Sequence, residues 1–214
     1  VLTFLFADLA GFTALTETHG DDDATTVAVR FYDLARNSLT GEARLIKTMG
    51  DAVMIIADQL LDAVSTALKI VATVRAEPSF PAVRAGLHTG STVERSGDYF
   101  GATVNLAARI TAYARSDQIL CTEAIVESIR SLDLATIHSA GMVSFKNVAQ
   151  SVALFELEDA QRHRLHHEID PVCRMGLDSE TAPAQLPFRD QLYYFCSFAC
   201  AQKFVQAPEN YVKS

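Results

Sequence analysis

Residues 97–110 read Gly97-Asp98-Tyr99-Phe100-Gly101-Ala102-Thr103-Val104-Asn105-Leu106-Ala107-Ala108-Arg109-Ile110. Gly97 and Gly101 bracket a short turn, and the apolar spacing from Val104 to Ala114 predicts a buried helix with Asp98 beside its entrance. Asn105 and Arg109 are four apart and so share one helical face. An amide and a planar guanidinium on a helix otherwise rich in Val, Leu, Ala and Ile suit a grip on carboxylate or phosphate oxygens. A surface stripe in which Arg109 pairs a local acid accounts for the same residues equally well.

Upstream, Val83 to Thr89 alternates as a strand, and His88 within it reads either as a base or as a hydrogen-bonded structural histidine near the sheet end. Gln59 to Glu77 has helical spacing and is ended by Pro78 and Pro81. Arg44–Met49 and Ala52–Ala57 flank Gly50-Asp51 in the pattern of a tight hairpin. Gly20 stops one short helix, and Asp21, Asp22 and Asp23 open another that runs to about Leu39, their charges favourable at its N-terminus. Val1 to Ala7 is an apolar run that predicts a central strand delivering Asp8 at its tip, with Gly11 three residues on. Asp8 either caps the next helix or faces a ligand. Together with Asp51 it would form a two-carboxylate site of the kind Mg²⁺ takes alongside phosphate oxygens.

With 214 residues, 49% of them apolar, the chain has material for one domain and a small appendage. Its net charge of −8 disfavours nonspecific binding to nucleic acid or acidic membranes. Charged residues interrupt every long apolar stretch, so no membrane span is expected. Val1 in place of an initiator Met reads as a chain that is trimmed or begins inside a longer one, and the start lacks the pattern of a signal peptide. Four cysteines, three of them late, do not resemble a disulfide framework, which favours a reducing cytoplasm.

Four motifs stand in order: Phe6-Ala-Asp8-Leu-Ala-Gly11-Phe12-Thr13, Lys47-Thr-Met-Gly50-Asp51-Ala-Val-Met54, Gly86-Leu-His88-Thr-Gly90, and the 97–110 stretch. Together they resemble the class III nucleotidyl cyclase catalytic domain over residues 1–158. The resemblance implies an α+β fold with a ferredoxin-like core and a head-to-tail homodimer with composite active sites. It also implies that Asp8 and Asp51 bind two Mg²⁺ or Mn²⁺ ions, that Lys47 and Asp98 read adenine, and that Asn105 and Arg109 orient the ribose and stabilise the transition state. Lys146, after a strand expected at Met142–Phe145, matches a basic residue that meets the triphosphate, although a solvated turn lysine fits equally. The run between Gly90 and Gly97 is shorter than the dimerisation arm of many relatives.

Residues 159–168, dense in charge and histidine, read as a helical linker. Residues 169–214, with Cys173, Cys196 and Cys200 among aromatics, resemble a YHS domain. Cys196 and Cys200 are four apart, so on a helix their thiols face one way, and Cys173 would close from a preceding turn. Three thiolates suit Zn²⁺ or Cu⁺. A fourth ligand is sought in Asp170, His166, His167, solvent or a partner, and the alternative is a small aromatic core holding reduced thiols. Cys121 reads as core. The expected function is an adenylyl cyclase converting ATP to cyclic AMP and pyrophosphate in intracellular signalling. The alternatives are a guanylyl or promiscuous cyclase, a non-catalytic nucleotide- or metal-sensing module, and a metal chaperone.

Overall fold

The structure, a computed structural model, describes residues 1–159 and 167–212. In chain order, β1 (Leu2–Leu9) leads into α1 (Phe12–His19) and α2 (Asp21–Asn37), followed by the hairpin β2 (Arg44–Met49) and β3 (Ala52–Ala57). Then come α3 (Leu60–Ala76), β4 (Val83–Gly90), β5 (Val93–Arg95), β6 (Asp98–Phe100) and α4 (Ala102–Tyr113). β7 (Ile119–Thr122), α5 (Glu123–Ile129), β8 (Ala135–Val143) and β9 (Val152–Asp159) complete the larger domain. The smaller one has β10 (His167–Ile169), β11 (Gly176–Asp178), β12 (Ala184–Phe188), β13 (Gln191–Phe195) and α6 (Phe198–Gln206).

Seven strands form one sheet in the order β2-β3-β1-β4-β7-β9-β8. Its first four strands, antiparallel and linked through the helices, are the expected ferredoxin-like core. Side chains alternate across β1 and β3, as strand geometry requires. Leu5, Ala7, Leu9, Val53 and Ile55 face a core shared with α2, α3 and α5, whereas Phe4, Phe6, Met54 and Ile56 pack with Val104 and Ala107 of α4. Asp8 follows the even positions, and its side chain belongs to the α4 face. On β2 the register shifts between Leu45 and Lys47, which sets Lys47 opposite Met54 and on that same face.

Several expectations are corrected. The residues between Gly97 and Gly101 form the short strand β6, paired with β5, because Val93 and Phe100 oppose each other across a hairpin. Met142 and Val143 end the longer strand β8, and Phe145 lies beyond it. Glu158 and Asp159 continue β9, opposite Thr136 and Ala135, so they do not begin a helical linker. Residues 160–166 of that predicted helix, His166 among them, lie outside the described residues, while its last two positions, 167 and 168, open the strand β10, opposite Asp178 and Leu177. Among the described residues, no helix is long and apolar enough to cross a membrane.

The smaller domain sits on the larger one. Leu15 of α1 and Ala24 of α2 share a buried cluster with Val172, Met175, Phe195 and Phe204. Backbone bonds from Ala82 N to Arg174 O (3.1 Å) and from Gly176 N to Phe80 O (2.9 Å) attach it to the segment before β4.

At Gly86 of β4 a Cβ would lie 2.4 Å from the Thr111 backbone nitrogen of α4. Backbone cannot yield as a side chain can. Gly86→Ala is therefore expected to destabilise the fold by about 1–3 kcal/mol, read from the urea midpoint, by lifting α4 from β4.

Candidate active site and cysteine centre

Asp8 lies opposite Ala52 of β3 and Arg84 of β4. Leu9 N donates to Asp51 O at 3.1 Å, so the β2–β3 turn folds over the tip of β1 and brings both carboxylates to one end of the sheet. Asp8 does not cap α1: the N-cap is Gly11, with φ 74° and no side-chain cap. Arg84 Nε donates to Asp8 Oδ2 at 2.9 Å, and Arg84 Nη1 donates to Ala112 O at 3.1 Å. Burial pushes the Asp8 carboxyl up to about 6, with Arg84 opposing the rise and the like charge of Asp51 adding to it. Sequence reasoning missed Arg84. The available signal was an arginine inside the apolar strand Val83–Leu87, on the residue that antiparallel pairing sets beside Asp8.

Lys47 Nζ donates to both carboxylate oxygens of Asp98 at 2.7 Å. Asp98 Oδ1 also accepts from Tyr99 N at 2.8 Å, and Tyr99 packs edge-on against Phe4 of β1. The bond from Lys47, followed by that from Tyr99, holds the Asp98 carboxyl below the usual range. Asn105 is exposed on α4. One turn on, Arg109 is half-buried, and its Nη1 is buried with no hydrogen-bond partner among the described residues. A buried donor left unpaired costs about 1–3 kcal/mol, so this nitrogen is a group in want of an acceptor. Lys146 stands on an exposed turn after β8, and no hydrogen bond or ion pair joins it to the other candidate residues among those described. His88 is a structural histidine, its Nδ1 2.9 Å from Thr122 Oγ1. Cys121 is core, and burial pushes its thiol up to about 12.

The three late cysteines converge. Cys173 Sγ lies 3.4 Å and Cys200 Sγ 3.6 Å from Cys196 Sγ. The residue that joins them was not among the sequence candidates: His19, at the end of α1, brings Nε2 to 3.5 Å from Cys196 Sγ and 3.9 Å from Cys200 Sγ. No local pattern could have found it, because it is 154 positions from Cys173 in the chain (173 − 19). Asp170, a predicted ligand, has another task. It is fully buried, and it accepts at Oδ1 from Val172 N (2.8 Å) and at Oδ2 from Cys196 N (2.8 Å). That carboxylate fixes the two backbone segments carrying Cys173 and Cys196. The side chain of His167 lies outside the described residues, as does His166.

Residues 1–158 match the family described as the adenylate and guanylate cyclase catalytic domain, and residues 168–214 match the YHS domain. The pH-sensitive adenylate cyclase of Mycobacterium tuberculosis is 38% identical over 128 residues, 60% of this chain and 32% of that protein. The adenylate cyclase of Streptomyces coelicolor is 36% identical over 125 residues, 58% of this chain and 33% of that one. The chain thus spans about a third of the length of the curated relatives it matches. Among solved structures, the adenylyl cyclase CyaB from P. aeruginosa superposes with a TM-score of 0.63 at 22% identity, covering 75% of this chain and 95% of that one. At that identity the likeness speaks for the fold alone.

Asp170→Asn would turn one acceptor oxygen into a donor facing a backbone N–H. Loss of about 1–3 kcal/mol in the smaller domain is expected, and the buried Cys173 should react faster with a thiol reagent, measured as the rate of its absorbance change.

Proposed function

The chain belongs to the adenylate and guanylate cyclase catalytic domain family, and we propose from that premise that it converts ATP to 3′,5′-cyclic AMP and pyrophosphate. The observation that carries the nucleotide assignment is the Lys47–Asp98 pair, held at 2.7 Å in the body of the fold. It offers a donor and an acceptor to a purine edge, and an adenine presents the complement. The same pair disfavours a guanylyl or promiscuous cyclase.

In the reaction the ribose 3′-oxygen bonds to the α-phosphorus, the bond from that phosphorus to the pyrophosphate oxygen breaks, and the 3′-hydroxyl proton leaves. Asp8 and Asp51 are hard oxygen donors at one sheet end, a set that fits two Mg²⁺ or Mn²⁺ ions. When bound, those ions supply activation of the hydroxyl and neutralisation of charge on the triphosphate. The mutual repulsion of Asp8 and Asp51 is a strain that cations would relieve. Arg84, already at Asp8, stands ready for the anionic oxygens that arrive with them. Arg109 stabilises charge on the transferring phosphoryl group, and its unpaired Nη1 is the donor for that task. Asn105 orients the ribose. Lys146 takes the outer phosphates, on an exposed turn that leaves it free to reach them.

We assign the working unit as a homodimer with shared sites, Asp8 and Asp51 from one protomer acting with Lys47, Asp98, Asn105 and Arg109 from the other. Support comes from the α4 side of the sheet, where Val93 and Phe100 of the β5–β6 hairpin and Tyr113 of α4 are each more than half exposed. Four free cysteines suit a reducing cytoplasm.

The test is cyclic nucleotide formation by purified chain with Mn²⁺, from ATP and separately from GTP. Cyclic AMP from ATP, with far less product from GTP, is the expected outcome, and no product from a folded dimer would sink the reading. Asp51→Ala and Arg109→Ala should each lower activity by at least about 100-fold, yet regain part of it when mixed, because one intact site forms per mixed dimer. The Asp8 carboxyl, raised to about 6, is ionised above that pH and protonated below it. Mn²⁺ affinity should therefore weaken as pH falls through about 6, read by calorimetric titration of the metal.

A further inference from the structure

We propose that the catalytic domain itself completes the cysteine centre: His19 Nε2 and the thiolates of Cys173, Cys196 and Cys200 form a four-coordinate Zn²⁺ site that straddles the two domains. The four ligand atoms lie within 4.8 Å of one another. Around a tetrahedral zinc, usual bond lengths give sulfur–sulfur edges of about 3.8 Å and sulfur–nitrogen edges of about 3.6 Å. Four of the cluster's six edges, 3.4 and 3.6 Å between sulfurs and 3.5 and 3.9 Å from sulfur to nitrogen, fit that figure, and the other two are no longer than 4.8 Å. They are far too long for a disulfide, whose bond is about 2.05 Å. Three thiolates and one imidazole form a set that structural zinc sites use, and it differs in kind from the hard oxygen donors of Asp8 and Asp51.

The surroundings hold these ligands from both sides. Asp170 fixes the backbone amides of Cys173 and Cys196, and Ser197 Oγ accepts from Cys200 N at 3.2 Å at the start of α6. Lys203 of α6 donates to Thr18 Oγ1 at 2.9 Å and to Glu17 O at 3.2 Å, which ties the last turn of α1 to the helix carrying Cys200. An open cavity of about 250 Å³, lined in part by His19, Met175 and Cys196, gives an ion a route in. Because α1 starts directly after Gly11, three residues past Asp8, an ion here fastens the helix that leaves the carboxylate loop. The site needs only the contact between the two domains, so it stands or falls apart from the cyclase reading.

The experiment uses the full chain, reduced and freed of metal, titrated with Co²⁺ as an optical probe and then with Zn²⁺ as competitor. Expected are tetrahedral cobalt bands with thiolate charge transfer, saturating at one equivalent and lost on addition of Zn²⁺. His19→Ala should bind at least about 10-fold more weakly with a changed cobalt spectrum, and His19→Gln, which keeps the side-chain bulk at a half-buried helix end, should do the same. Amide exchange in residues 12–19 should slow on Zn²⁺ addition in the parent chain and not in either variant. Unchanged affinity and spectrum in both His19 variants would overturn the proposal, since the smaller domain would then close the site alone. Failure of the reduced parent chain to take up Co²⁺, or of Zn²⁺ to displace it, would also overturn it.

Discussion

The burial of β1 is the constraint on which the rest depends. Every residue from Thr3 to Ala7 is buried, with helices on one face of the sheet and α4 on the other. A strand so enclosed has to carry a carboxylate at its end, and desolvation there opposes charge. The fold answers with Arg84, the residue that antiparallel pairing puts beside Asp8. Arg84 offsets only part of the cost of burial, and the Asp8 carboxyl remains raised to about 6.

The same strand tip is where the smaller domain makes itself felt. Gly11, in the left-handed conformation that releases the chain from β1 into α1, has no room for a side chain: a Cβ there would lie 2.4 Å from Arg174 Cγ. Arg174 is itself pinned, its Nε donating to Ser116 Oγ at 3.0 Å. The loop after Asp8 is thus packed against one domain on its outer side and against its own sheet on the other. Arg174 and the Cys173 carbonyl of the smaller domain lie directly against the loop that leaves Asp8.

Much of this was legible in the sequence, and for identifiable reasons. Periodicity located β2 and β3 to the residue and α3 to within one residue at either end, because Gly50-Asp51 and the prolines after α3 punctuate long, clean patterns. Motif spacing brought out Asp8, Asp51, Lys47 and Asp98, whose pairings the topology then explains. What stayed hidden was set by contacts distant in the chain. The turn expected at 97–101 became half of a hairpin because its partner strand is only three residues long and shows no alternation of its own. Asp170 looked like a ligand until its three backbone donors were visible. His19 carried no signal at all, for it becomes a neighbour of the cysteines only once the smaller domain has docked on α1.

The two candidate half-sites differ in how far each chain can satisfy them by itself. Asp8 has Arg84, and Lys47 has Asp98, so these charges are held in place by internal partners. A pair as exposed as Lys47–Asp98 adds little stability, and its value lies in orientation. Arg109 is the exception, because its guanidinium is half-buried against a packing helix while one nitrogen goes without a partner. Folding alone gives no return for that desolvation. That leftover donor is explained if its acceptor arrives with the substrate.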